Sequence, residues 1–315
     1  MKMASNCYPC ILDRAKFECD MVFSEEEEKR AAVEELLDYM ARHKGGVSAL
    51  VGTERERIIK RRSNNPDPYR KFKDESNQVA RDLLPMAREF YEKSDDKIEA
   101  LIRIAAAANS MEFGVKGHDF DNKTFAGVFS DTLNEKLYGD VKEIKERLKS
   151  FSNIFYLTDN NGEVVFDLFV IARLEEMGKR IVVGSKSEPV LNDVTVQELA
   201  ALSRVKAVPT GDVVGTALEF LSDEARSLLL DPGWLILSKG MGNYETISEY
   251  EETLAGRLVY IMRAKCEPVA AAVGSGVWPT SAALDDSGAL SVTGQGASNC
   301  FTGVQSMASR STLRV

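Results

Sequence analysis

The 315-residue chain reads as an α/β protein: a mainly parallel, Rossmann-like αβα sheet domain preceded by an all-α N-terminal domain. Two observations predict this. Up to about residue 150 apolar side chains recur at helical spacing with no strand-like alternation. From Phe151 onward short apolar runs alternate with helix-like segments, which is the signature of βαβ units and a parallel sheet. The division expected is 1–150, 151–273 and a remainder, 274–315, rich in Gly, Ser and Thr and almost free of charge, read as a flexible extension.

In chain order, Ser24-Glu25-Glu26-Glu27 reads as a capping box opening a helix through Val33, Leu36, Leu37 and Met40, which Gly45-Gly46 ends. Helices are predicted over 53–62, over 74–92 with an interruption at Pro85, and over 96–111 through Ile98, Leu101, Ile102 and Ala105. The basic run Arg55, Arg57, Lys60, Arg61 and Arg62 is interleaved with Glu54 and Glu56, so it reads as a solvated helix face outside any site. His118-Asp119-Phe120-Asp121 has metal-ligand residue types but reads as a solvated loop. In the second half, strands are predicted at 153–158, 180–184, 205–208, 234–238 and 257–263, and helices at 162–177, 193–202, 213–221 and 244–255.

Composition narrows the function. A 44% hydrophobic content suffices for a packed core, and a net charge of -9 gives no standing attraction to nucleic acid or anionic membrane. Small solutes are the expected partners. No apolar run approaches the roughly 18 residues that span a bilayer. The N-terminal segment, with Cys7, Pro9 and Cys10, lacks a signal peptide's apolar region. Five cysteines, an odd number, fit a reducing compartment, and a cytoplasmic protein is expected. Cys7-x-x-Cys10 has no second CxxC or paired histidines to complete a zinc site, so it reads as a helix N-terminus with ordinary thiols.

The chemistry concentrates at strand ends. Asp159 and Asn160 follow the apolar run Ile154-Phe155-Tyr156 and precede a helix; Asp193 follows the strand ending at Gly184; Lys239 and Gly240 follow Trp234-Leu235-Ile236-Leu237. In an open parallel sheet such loops share one edge, where helix N-termini also receive anions. Asp159, Asn160 and Asp193 supply hard oxygen ligands suited to Mg²⁺ or Mn²⁺, with Co²⁺ or Ni²⁺ also able to bind. Lys239, beside Gly240 and Gly242, is expected to be solvent-accessible and to meet phosphate oxygens, while Glu163 either orients a metal-bound water or complements a helix dipole. Asp-x-Asp, the haloacid-dehalogenase signature, is missing, because Asn161 stands two residues after Asp159.

Taken together, Asp159-Asn160-x-Gly162-Glu163, Asn192-Asp193-Val194-Thr195, Ser238-Lys239-Gly240-x-Gly242-Asn243-Tyr244-Glu245 and Lys265-Cys266-Glu267-Pro268-Val269-Ala270 resemble the damage-control phosphatases, the ARMT-like family first catalogued as domain of unknown function eighty-nine. Upstream, Cys7-Tyr8-Pro9-Cys10-Ile11-Leu12, Asp67-Pro68-Tyr69, Glu75-Ser76-Asn77 and Asn109-Ser110-Met111-Glu112-Phe113-Gly114 resemble that family's helical region, in a prokaryotic-type member; the likeness runs from about Cys7 to Ala272. It implies a metal-dependent phosphatase of small phosphometabolites, such as sugar phosphates or damaged cofactor phosphates, with a helical domain covering the α/β domain. It implies metal ligation by Asp159, Asn160 and Asp193, catalytic roles for Asp159, Glu163 and Lys239, and a substrate side formed by Asn109, Glu112, Lys239, Gly240 and Asn243. Asn161 and Glu112 depart from the family's usual Ala and Asp, and the segment after Ala272 does not resemble its closing strand. Two other readings stand beside it. An S-adenosylmethionine methyltransferase would bind a nucleoside at the sheet's switch point, but no G-x-G-x-x-G follows the first strand. A non-enzymatic phosphometabolite-binding protein would show ligand-dependent melting without turnover.

Overall fold

The computed structural model describes residues 1–110, 122–274 and 290–294. Glu112 and the His118-Asp119-Phe120-Asp121 motif, read as a solvated loop, lie outside the described residues. Three helices, α1 (Cys7–Val22), α2 (Glu26–Arg42) and α3 (Ser48–Ser63), pack around a small core of their own that contains Ile11, Cys19, Leu36, Met40, Val51 and Ile58. Cys7 and Cys10 lie in the first turn of α1, the former buried and the latter exposed. The capping box expected at Ser24 does not form: Glu25 occupies the cap position of α2 and no side chain bonds there. The basic run is also less solvated than its composition suggests. Arg55 is buried against Glu18, with Nη2 2.7 Å from Oε1. A helix can be amphipathic in charge and still bury one ion pair if every charged atom is partnered, and the Tyr69 hydroxyl completes this one by donating to Glu18 at 2.9 Å.

Helices α4 (Arg70–Lys93), α5 (Lys97–Ala108), α6 (Asn122–Asn134) and α7 (Val141–Ser150) follow, with a short strand β1 (Leu137–Tyr138) between the last two. Pro85 sits inside α4 without ending it. The strand β1 corrects the expectation that the first half is wholly helical. These helices do not stand apart from the sheet: Leu83, Leu101, Phe129 and Ile144 share one core with Ile154, Phe166 and Val183. Burying each such aliphatic or aromatic side chain stabilises by roughly 1.5–3 kcal/mol.

The sheet comprises β1, β2 (Asn153–Leu157), β3 (Arg180–Ser185), β4 (Ala207–Pro209), β5 (Trp234–Lys239), β6 (Leu258–Arg263) and β7 (Leu290–Gly294), in the order β1-β7-β6-β5-β2-β3-β4. All neighbours are parallel except β6 and β7. Strand β7 is a correction: Leu290–Gly294 belongs to the segment read as a flexible extension, yet it pairs with β6 on one side and β1 on the other. A strand with unpaired polar backbone on two neighbours gains ladder hydrogen bonds whatever its hydropathy, and composition does not register that. Alternation along β2 divides the two faces. Ile154 and Tyr156 enter the core formed with α4–α7, while Phe155 and Leu157 enter the core on the other face.

The crossover helices are α8 (Glu163–Glu176), α9 (Val196–Leu202), α10 (Asp223–Leu230), α11 (Gly240–Ile247) and α12 (Glu267–Val273). The helix predicted over 213–221 is absent. That stretch is an irregular loop with one 3₁₀ turn at Leu218–Phe220, and α10 begins only after the Ser222 cap. Partners distant in sequence hold it open: Thr53 accepts from Val214 N–H and the Tyr250 hydroxyl donates to Thr216 O. The predicted 244–255 helix is likewise displaced, since the glycine-rich turn is itself the first turn of α11 and a 3₁₀ turn occupies Glu251–Leu254.

Candidate active site at the switch point of the sheet

Strand order reverses between β2 and β5. From β2 the chain proceeds to β3 and β4 on one side, and from β5 to β6 on the other. Crossovers leave opposite ways at such a point, opening a crevice at the carboxyl ends of the two strands. Leu157 is level with Gly184 and Ser238 in the ladder, so Asp159, the loop after β3 and Lys239-Gly240 emerge at one height.

The structure brings Asp159, Asn160 and Asp193 together. Asn160 and Asp193 form an isolated antiparallel bridge, and Val194 N–H donates to Asp159 O at 3.0 Å. Asp159 is half-buried, and its Oδ2 accepts from Asn160 Nδ2 at 2.8 Å and Asn109 Nδ2 at 3.0 Å. Burial, then the neighbouring Glu163 and Asp193 carboxylates, push its carboxyl well above the ordinary range. Gly240 allows this approach: with φ at +78°, it is placed so that a Cβ would fall 2.0 Å from Asp159 Oδ2. Asp193 is buried beside Lys186, 3.6 Å away, and burial raises its carboxyl to about 6. Burial correspondingly lowers the Lys186 ammonium, which donates to Gly215 O.

Lys239 is not exposed. It is fully buried and paired with Glu163 and with Asp167 Oδ1, the latter at 2.9 Å. Burial alone would lower its ammonium, but the two carboxylates outweigh that and hold it above its usual range. Asp167 also accepts from the Tyr156 hydroxyl at 2.6 Å, and burial raises it to about 6. An isolated glycine-flanked lysine looks exposed in sequence; here Glu163 and Asp167, one helical turn apart on α8, draw it inward. Asn109, at the C-cap of α5, links this buried cluster to Asp159. Its Nδ2 donates to Glu163 Oε2 at 2.9 Å as well as to Asp159, and its Oδ1 accepts from Arg263 N–H at 2.9 Å. Asn243 is committed to the backbone, donating to Thr158 O and Lys239 O and accepting from the Thr216 hydroxyl.

Several contributors were invisible in sequence. Lys186 follows β3 directly, in an isolated bridge with Thr195, and Asp167 reads as an ordinary helix residue. Asn161, noted only as a departure from the resembled pattern, is buried with its side chain bonded on both ends. Leu191 adopts φ +47°, a left-handed conformation rare for a branched side chain, and its N–H donates to Glu56 Oε1 at 2.7 Å. Glu56, on the helix face expected to be solvated, is buried and its carboxyl is raised to about 7, chiefly by that burial. No signal short of the folded loop would have found it.

As a cation site, the set comprises two carboxylates and one amide at a strand-end crevice, a hard-oxygen donor set. Among the described residues no three His, Cys, Asp or Glu side chains form a ready cage; the oxygen-bearing groups that converge here are Asp159, Asn160 and Asp193. Asp159 lies among the Glu163 and Asp193 carboxylates, and opposite charge there would relieve their repulsion.

The class of protein these features define is a doubly wound α/β protein with carboxylates gathered at its switch point. Residues 3–278 match the family model described as the damage-control phosphatase ARMT1-like domain, and the chain belongs to that family. It is 30% identical over 288 residues to a damage-control phosphatase of Archaeoglobus fulgidus, covering 88% of this chain and 97% of that one. It is 31% identical over 291 residues to an uncharacterized protein of Methanocaldococcus jannaschii, covering 87% and 92%. A solved DUF89 family protein of Pyrococcus horikoshii superposes with a TM-score of 0.78 at 26% identity, over 92% of this chain and 98% of that one.

Proposed function

We propose that the protein is a metal-dependent phosphatase that hydrolyses small phosphometabolites, sugar phosphates or damaged cofactor phosphates among them. The observation that carries this reading is the meeting of Asp159, Asn160 and Asp193 at the switch point, joined by the Asn160–Asp193 bridge; membership of a family whose relatives are named damage-control phosphatases supports it. Asp159, Asn160 and Asp193 would hold the cation. When bound, Mn²⁺, Mg²⁺, Co²⁺ or Ni²⁺ neutralises phosphoryl oxygens and lowers the cost of forming the nucleophile.

The chain's own residues do the rest. Asn109 locks the Asp159 carboxylate in one orientation by donating to it and to Glu163. Glu163 and Lys239 act together as a buried support for Asn109, which assigns them to preorganisation of the crevice. Gly240, at the start of α11 beside Asp159, lets the backbone of that helix N-terminus face an incoming phosphate. No helix among the described residues is long and apolar enough to cross a membrane, and a small diffusible substrate fits a crevice of this kind.

The test is a phosphate-release screen of sugar phosphates, cofactor phosphates and nucleotides, with protein stripped by chelator and reloaded separately with each of the four metals. Release that requires metal is the expected result. Release that continues unchanged in excess chelator would sink the metal assignment, and silence with every substrate and metal would sink the phosphatase reading.

A further inference from the structure

Two loops carry the proposed ligands, one after β2 and one after β3, and backbone contacts already join them: the Asn160–Asp193 bridge and Val194 N–H to Asp159 O at 3.0 Å. One buried side chain adds a second tie and connects both loops to α4. Asn161 is 1% exposed. Its Oδ1 accepts from Asn77 Nδ2 at 2.9 Å, and its Nδ2 faces three acceptors, Asn192 O at 3.3 Å, Asp193 O at 3.2 Å and Glu198 Oε2 at 3.2 Å. Its backbone N–H also donates to Asn192 O at 2.8 Å. Asn161 follows Asn160 directly, and two of its acceptors are the carbonyls of Asn192 and Asp193. The contact therefore ties the two ligand-bearing segments to each other.

Helix α4 holds the other end. Asn77 uses both ends of its amide: Nδ2 goes to Asn161, and Oδ1 accepts Gly162 N–H at 2.7 Å. Gly162 has φ +81° and caps α8, so this bond fixes the turn between Asp159 and Glu163. One helical turn earlier, buried Lys73 lies 3.4 Å from Glu198, whose carboxylate also receives Thr195 N–H in the capping box of α9. Lys73 and Asn77 thus lie on one face of α4 and hold both loops.

We propose that Asn161 is a positioning residue that sets the spacing of the Asp159–Asn160 turn from Asp193, and that α4 acts on the crevice through it by way of Asn77. Its consequence for cation binding rests on the metal reading above; the clamp itself does not. An amide is required because the site presents a donor at one end and acceptors at the other. A carboxylate of equal size at position 161 would face two carbonyls and the Glu198 carboxylate with no hydrogen to offer. Asn161→Asp should therefore be worse than Asn161→Ala, the reverse of what side-chain volume predicts.

The experiment uses the full chain, titrated with Mn²⁺ while free Mn²⁺ is followed by electron paramagnetic resonance, with kcat measured at saturating Mn²⁺. Residues that orient metal ligands typically change affinity by about 10- to 100-fold when removed. Asn161→Ala should weaken Mn²⁺ binding within that range yet keep kcat at saturating metal within a few-fold, since all three ligands remain. Asn77→Ala should move affinity the same way, and the double variant should be no weaker than Asn161→Ala alone. Wild-type affinity in Asn161→Ala, or losses that simply add, would overturn the clamp. If Asn161→Ala fails to fold, the titration of Asn77→Ala decides alone. Backbone hydrogen exchange gives a readout free of metal: segments 158–165 and 190–196 should lose protection together in the variants. Joint loss in a protein whose wild type binds no Mn²⁺ would retain the clamp and reject the metal reading. Unchanged protection in both segments would reject the clamp.

Discussion

Replacing Lys239 by Met removes an ammonium from between two carboxylates in a place that water does not reach. Lys239, Glu163 and Asp167 have side chains 0%, 1% and 0% exposed. Breaking a buried pair by deleting one partner typically costs about 3–5 kcal/mol, because the remaining charge stays desolvated. The structure also fixes how that cost depends on pH. Asp167 titrates at about 6 in the native protein, against 3.8 for an ordinary Asp, with burial raising it and Lys239 holding it down. A carboxyl whose folded pKa is raised loses stability as pH rises from its unfolded value to its folded value, and is flat above that. Wild-type protein therefore stops losing stability from this group near pH 6. Without Lys239 the folded value rises further, so the variant continues to lose about 1.4 kcal/mol per pH unit where the wild type does not. Between pH 6 and 8 the gap should widen by roughly 3 kcal/mol through Asp167. Urea unfolding of both proteins in chelator at pH 6, 7 and 8 measures it. A variant within about 1 kcal/mol of wild type at pH 8, or a deficit that does not change with pH, would refute the buried-pair account and return Lys239 to the solvent-facing role that its sequence context suggests. Adding Asp167→Asn to the variant should recover part of the loss, since one buried carboxylate is then gone.

Two further outcomes follow from geometry. Gly240→Ala should leave a folded protein with Mn²⁺ affinity reduced about tenfold or more, because the new methyl would overlap Asp159 at 2.0 Å; calorimetric or resonance titration checks it, and unchanged affinity would remove Asp159 from the cation. Truncation after Gly274 should lower the melting temperature and promote association, since deleting β7 exposes one edge of β6 and separates β1 from the sheet; a truncated protein as stable and monodisperse as the full chain would mean that Leu290–Gly294 adds nothing to the fold.

Much of this protein is written locally. The strands β2, β3, β5 and β6 were legible as apolar runs because a parallel strand is buried on both faces and cannot hide its composition. The convergence of Asp159, Asn160 and Asp193 was legible for a related reason: polar residues in the loops that leave such strands emerge at the carboxyl edge of the sheet. Where the chain depends on partners far away in sequence, the pattern failed. The helix expected at 213–221 is held open by Thr53, Lys186 and Tyr250, whose contacts outweigh modest local propensity. The strand at Leu290–Gly294 exists through backbone pairing that composition does not encode.

The sequence by itself determined the strands β2, β3, β5 and β6, their parallel arrangement and the edge on which their polar loops emerge, because periodicity and burial act within a few residues of each other. Only the tertiary structure decided which charges face water. Lys239 and Arg55 look alike in sequence to any exposed base, yet each is sealed against carboxylates brought from other elements, Glu163 and Asp167 for the one and Glu18 for the other. Asn161 looks like a neutral exchange and becomes the tie between two loops. Burial of a charge or an amide is favourable only when its partners arrive in the right geometry, and those partners are chosen by the fold, not by the neighbours in the chain.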